Sequence, residues 1–105
     1  MTDAALKGKA VFESDSAGCL TCHHGKFHTD GQIHDVNTGD DEDVYQGYNT
    51  PSLLGVYRKV RFLHDGRVKT LKAVLTEDHA PEKVGGTRPL KSDELENLIE
   101  YLKSL

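Results

Sequence analysis

Two cysteines and a histidine stand together in the run Cys19-Leu20-Thr21-Cys22-His23, and the chain has no other cysteine. Cysteines at this spacing serve three chemistries: dithiol redox exchange, half of a zinc site, or covalent attachment of haem. Structural zinc needs a second Cys or His pair at matching spacing. Six histidines are present, yet no second pair follows at the separation a zinc finger uses. A thioredoxin-like pair follows a hydrophobic strand and opens a helix, whereas Glu13-Ser14-Asp15-Ser16-Ala17-Gly18 is polar loop material. The histidine directly after the second cysteine is what the third chemistry demands. There, both thiols add across the porphyrin vinyl groups and the adjacent imidazole binds iron from the proximal side. The run is read as the attachment site of one haem c, covalent through Cys19 and Cys22, with His23 as an axial ligand.

Elements must hold that run against a large apolar ring. A first helix is predicted from about Asp3 to Glu13, with Leu6 and Ala10 on its apolar face and Ala5 and Phe12 beside them. Gly8 inside it costs about 1 kcal/mol against alanine, which predicts close approach by another element. The strongest helix signal lies at the other end. Ser92 is the expected N-cap, Asp93 and Glu94 suit the positive end of the dipole, and Leu95, Leu98, Ile99, Leu102 and Leu105 follow at helical spacing. Between them, Thr50 and Pro51 predict a helix through about Tyr57, and Thr70 caps another that aligns Leu71, Val74 and Leu75. His64-Asp65-Gly66 reads as a turn. Residues 24–49 and 78–91 show no periodicity, and two long loops in so short a chain make sense where both wrap a cofactor.

With 105 residues, a single domain spanning 1–105 is expected. The formal net charge is −4 and the mean hydropathy −0.56, so a nucleic-acid footprint is not expected. No apolar run exceeds three residues, which leaves no transmembrane segment and no leader core in this sequence. The core is small and holds no tryptophan, so the haem is expected to supply missing apolar bulk and the haem-free chain to fold poorly.

Order along the chain narrows the reading. The Cys-x-x-Cys-His run between two terminal helices resembles a class I c-type cytochrome, with Gly8-x-x-x-Phe12 and Leu98-x-x-Tyr101 as the pairs that cross first helix on last. Asp30-Gly31-Gln32-Ile33-His34, Thr50-Pro51-Ser52-Leu53-Leu54-Gly55-Val56, Phe62-Leu63-His64-Asp65-Gly66 and Thr70-Leu71-Lys72-Ala73-Val74 follow in that sequence. They resemble one haem domain of the bacterial dihaem cytochrome c peroxidase family, to which MauG-like proteins belong, from about Gly8 to Leu105. The resemblance implies an all-α, class I cytochrome c-like fold of about four to five helices around the haem. Family members carry two haem domains, whereas this chain has one attachment motif.

The resemblance also implies a methionine ligand shortly after the Thr70 helix. The sole methionine is Met1, and Thr76-Glu77-Asp78-His79 stands where the ligand would fall. His79 is therefore the expected distal ligand, with His34 or His64 as the alternatives. His24 and His28 are read as surface residues. His64 and Arg61 are expected at the haem edge, where a guanidinium pairs with a propionate. Two imidazoles favour ferric iron relative to an imidazole–thioether pair, so a low-spin haem of lowered potential is expected. The function read from this is electron transfer between redox proteins, not enzymatic catalysis. The alternative is a haem protein with an open or displaceable distal site that binds a small gas or reduces peroxide, as a subunit or domain of a larger redox complex. Asp40-Asp41-Glu42-Asp43 is a solvated run suited to steering a basic partner surface. The family resemblance places the protein in the bacterial periplasm or otherwise outside the cytoplasm.

Overall fold

A computed structural model describes residues 1–34, 47–59, 61–63, 66 and 68–105. Helix α1 spans Asp3–Phe12 and starts where the Thr2 hydroxyl accepts the Ala5 N–H at 3.1 Å. Its buried face is Ala5, Gly8 and Phe12. Leu6 is 53% exposed, so the apolar face lies one residue away from the stripe expected through Leu6 and Ala10. The last helix, α4 (Ser92–Lys103), buries Leu98, Tyr101 and Leu102. The two cross at Gly8, where a Cβ would stand 1.9 Å from the Asn97 carbonyl oxygen and 2.8 Å from Tyr101 Cβ. The close approach predicted from Gly8 is thus present, and it places Phe12 against Tyr101 with ring centroids 5.4 Å apart.

Ser92 is the first helical residue of α4, and the cap position falls to Lys91. Glu94 explains the shift. Its carboxylate accepts the Lys91 N–H at 2.9 Å and hydrogen bonds from Nη1 and Nη2 of Arg88 at 2.7 and 2.9 Å. This bidentate pairing pushes the Glu94 carboxyl down to about 2.

Two short helices lie between. In α2 (Leu71–Thr76) the Thr70 hydroxyl accepts the Ala73 N–H at 3.0 Å, as its sequence predicted. Helix α3 (Pro81–Val84) lies within the stretch expected to be irregular, with Pro81 in its first turn, the one signal that marked it. The helix expected from Pro51 to Tyr57 is absent, and a 3₁₀ turn at Val56–Arg58 stands in its place. Ser52 diverts the backbone by accepting the Leu54 N–H at 3.2 Å while donating to the Phe27 carbonyl. Gly55, at φ +73°, then adopts a left-handed conformation that no continuing helix allows. A two-residue antiparallel pairing joins β1 (Ile33–His34) to β2 (Tyr48–Asn49) in the register Ile33–Asn49 and His34–Tyr48. The sequence showed no sheet-like alternation, because two residues are too few to display any.

Phe12, Val56, Leu98, Tyr101 and Leu102 form the core. Among the described residues Leu98 is the only large side chain that is fully buried. The elements close around a hollow rather than around one another.

Candidate haem-binding site

That hollow is a cavity of about 320 Å3. Phe12, Leu71, Val74, Leu75, Leu98 and Leu102 supply apolar wall from α1, α2 and α4. Cys19, Cys22, His23 and His79 line it too, and so do His34 and Arg61.

The attachment run is shaped by its backbone. Gly18, at φ +73°, turns the chain so closely past Gly85 and Gly86 that a Cβ would lie 2.6 Å from the Gly85 carbonyl. A 3₁₀ turn at Cys19–Thr21 follows, and the N–H groups of Cys22 and His23 both reach the Cys19 carbonyl. One turn therefore presents both thiols and the imidazole to the cavity. Burial pushes the Cys19 thiol up to about 11. Before haem is attached, the Cys22 thiol is raised by burial and by the Asp30 carboxylate.

His23 is held by its Nδ1, 3.0 Å from the His28 carbonyl oxygen. A carbonyl only accepts, so Nδ1 carries the proton and Nε2 of the neutral ring is unprotonated, the state a metal ligand requires. His79 approaches from the loop between α2 and α3. Its ring centroid lies 6.4 Å from that of His23, with the planes inclined at 47°. Burial lowers the affinity of both rings for a proton, and for His23 the neighbouring His79 adds to the effect while the His28 carbonyl opposes it. Two neutral imidazoles thus face each other across an apolar cavity. A metal ion bound at about 2 Å by one nitrogen of each would put the centroids about 6 Å apart, so the residues fit a haem between them.

The other expected residues are placed differently. His34 lies at the cavity rim with Nε2 2.8 Å from Asp30 Oδ2. The Asp30 carboxyl is lowered, first by the Gln32 N–H and then by His34. Arg61 is exposed, and its Nη1 donates to the Gly66 carbonyl at 3.3 Å. His64 lies outside the described residues, as does the acidic run at 40–43. His24 is exposed, as expected. His28 is not the surface residue its sequence position implied. Its ring packs on Phe12 and Tyr101, its Nε2 lies 3.2 Å from the Tyr101 hydroxyl, and its Nδ1 is buried without a partner among the described residues. Nothing local in the sequence announces that role, because Tyr101 is 73 residues away.

A mostly helical chain closed around an apolar cavity, with a Cys-x-x-Cys-His turn on its wall, defines a c-type haem protein. Residues 5–105 match the cytochrome c family, and the chain belongs to it. It accordingly carries a covalently bound haem c. The chain is 29% identical to hydrazine synthase subunit gamma of Kuenenia stuttgartiensis, over 100% of this chain and 42% of the relative. It is 32% identical to the methylamine utilization protein MauG of Methylorubrum extorquens, over 96% of this chain and 34% of that protein. Among solved structures, Kuenenia stuttgartiensis hydrazine synthase under xenon superposes with a TM-score of 0.82 at 28% identity, covering 100% of this chain and 47% of the other. A MauG-like protein associated with microbial copper homeostasis shares the fold, with a TM-score of 0.80 at 20% identity, over 100% of this chain and 47% of that one. The chain spans less than half the length of the curated relatives it matches.

These likenesses correct one expectation. The sequence reads as a carrier and not an enzyme, but a relative that covers the whole of this chain with 42% of its own length is a subunit of a synthase. A reading that sets it apart from enzymes does not stand. No helix among the described residues is long and apolar enough to cross a membrane.

Proposed function

We propose that residues 1–105 form one haem domain that relays electrons within or to a larger redox enzyme, its haem joined to Cys19 and Cys22 and its iron held by His23 and His79. The observation that carries this reading is the pair of neutral imidazoles facing each other 6.4 Å apart across an apolar cavity. The bound haem supplies one-electron chemistry, its iron alternating between ferric and ferrous. The protein's part is to keep both ligands in place in either state. His28 fixes the ring of His23 through its carbonyl, and burial keeps the ring of His79 unprotonated. His34 is the weaker distal candidate, since Asp30 already engages its Nε2. Lys59 and Arg61 both line the cavity, and the Arg61 guanidinium suits a propionate. The enzyme around the domain is taken from the synthase relative, and a periplasmic or other exported location from the covalent haem.

The test is the visible spectrum of the holoprotein, ferric and reduced, with and without carbon monoxide. Low-spin bands that carbon monoxide leaves unchanged are expected, and His79→Ala should convert the reduced protein to one that binds the gas fully. A high-spin ferric spectrum, or rapid carbon monoxide binding by the unaltered protein, overturns the assignment and favours gas binding or peroxide reduction at an open iron.

A further inference from the structure

The net charge of −4 is unevenly spread. Segments 16–29 and 47–63 contain no aspartate or glutamate, yet carry Lys26, Arg58, Lys59 and Arg61. They are also the segments that present Cys19, Cys22, His23, Leu53 and Val56 to the haem cavity. Two hydrogen bonds clamp them together, each of 2.5 Å: Thr29 Oγ1 to the Thr50 carbonyl and Ser52 Oγ to the Phe27 carbonyl.

The outer side of this clamp is apolar at its centre. Phe27 is 56% exposed, Leu54 45% and Tyr57 47%. Phe27 and Leu54 are neighbours, because Ser52 Oγ touches the carbonyl of one and the N–H of the other. Each exposed ring carries its own cation. Lys26 Nζ sits 5.6 Å from the Phe27 centroid, and the Arg58 guanidinium 5.3 Å from that of Tyr57, with Arg58 Nε donating to the Tyr57 hydroxyl at 3.0 Å. Such pairs hold aromatic surface and positive charge together at a fixed position. Leu53 and Val56 face the cavity while Leu54 and Tyr57 face solvent, so a partner seated here would be one thickness of chain from the cavity.

We infer that the face formed by Lys26, Phe27, Leu54, Tyr57 and Arg58 is the docking surface for an acidic redox protein, with aromatic and aliphatic contacts at the centre and carboxylates of the partner around the cations. This rests on the electron-relay reading above, and it reverses the basic partner expected from the acidic run. Aromatic residues and arginine are the types enriched where interfaces bind. Attraction of opposite charges raises the encounter rate at low salt and loses effect as salt screens it.

The test follows oxidation of the ferrous holoprotein by Cu(II) plastocyanin, an acidic copper protein used here as probe. One electron leaves the ferrous haem, giving ferric haem and Cu(I). The second-order rate should fall about tenfold between about 10 mM and about 300 mM salt. The double variant Lys26→Glu/Arg58→Glu should lose that fall and react about tenfold more slowly at low salt. Lys7→Glu/Lys72→Glu changes the net charge equally on other exposed surfaces and should stay within about twofold of the unaltered protein. Equal slowing by both double variants overturns the proposal. So does a rate that rises with salt, or faster low-salt reaction with a basic ferric cytochrome c that Lys26→Glu/Arg58→Glu leaves untouched. Uncharged benzoquinone separates the two readings, since all variants should reduce it alike. A holoprotein that cannot reduce even the quinone overturns the relay reading, and the docking proposal with it.

Discussion

At the scale of single residues, His28 joins two parts of the molecule that the sequence keeps far apart. Its carbonyl receives the Nδ1 proton of His23, and its ring meets the Tyr101 hydroxyl on α4. The backbone at His28 is left-handed, with φ at +55°, a conformation uncommon outside glycine, asparagine, aspartate and histidine. The ring already has one buried nitrogen without a partner among the described residues. Tyr101→Phe would orphan the second, at a cost of about 1–3 kcal/mol. Chemical denaturation of the ferric holoprotein should show that loss, together with a changed low-spin electron paramagnetic resonance signal as His23 becomes free to rotate. An unchanged signal with unchanged stability would show that Tyr101 does not hold the proximal side. This level was only half legible in the sequence. Cys19, Cys22 and His23 declared themselves because covalent attachment demands adjacent residues. His79, the proposed second ligand, comes from elimination and resemblance. His28 escaped because its partners come from α1, α4 and the attachment turn, and no local pattern encodes that meeting.

Whole elements were legible where a periodic apolar face met a cap, and not where side chains competed with the helix. Leu98 and Leu102 marked the buried face of α4, and Thr70 marked the start of α2. Pro51 signalled a helix that Ser52 and Gly55 prevent, since one captures a backbone N–H and the other turns left-handed. Gly8 was read correctly from its cost alone: a glycine in mid-helix is retained where a neighbour's backbone leaves no room. The Asn97 carbonyl is that neighbour. Gly8→Ala must push α1 and α4 apart, because the obstructing atom is backbone and cannot swing aside. A loss of about 3 kcal/mol is expected from overpacking of this kind. It should appear as a melting temperature lower by more than about 10 °C in a chain this size. Ala10, exposed on the same helix, gives the control: Ala10→Ser should change the melting temperature by only a few degrees.

The molecule as a whole is organised around what the chain lacks. Among the described residues nine hydrophobics are buried, three of them the alanines Ala5, Ala17 and Ala80, and much of the remaining apolar wall faces the haem cavity. The haem would cover the apolar side chains that line that cavity, among them Phe12, Leu71, Val74, Leu75, Leu98 and Leu102. Burying one large apolar side chain contributes about 1.5–3 kcal/mol and native stabilities are about 5–15 kcal/mol, so covering several of them with haem is a large part of the margin. The helices depend on it unequally. Crossing α1 with α4 buries Phe12 against Tyr101 without the haem, whereas α2 is six residues long and buries no residue fully in the protein. An isolated helix of that length does not persist in water. Cys19→Ser/Cys22→Ser, isolated without haem, should therefore lose α2 and α3 outright and keep at most a loosely packed α1–α4 pair. Its circular dichroism at 222 nm should fall to about two thirds of that of the holoprotein or less, and its thermal transition should broaden, as expected when fixed packing is lost. Full helicity with a sharp transition would show that protein contacts alone close the fold. The haem would then be a passenger in a preformed cavity and not the greater part of the core.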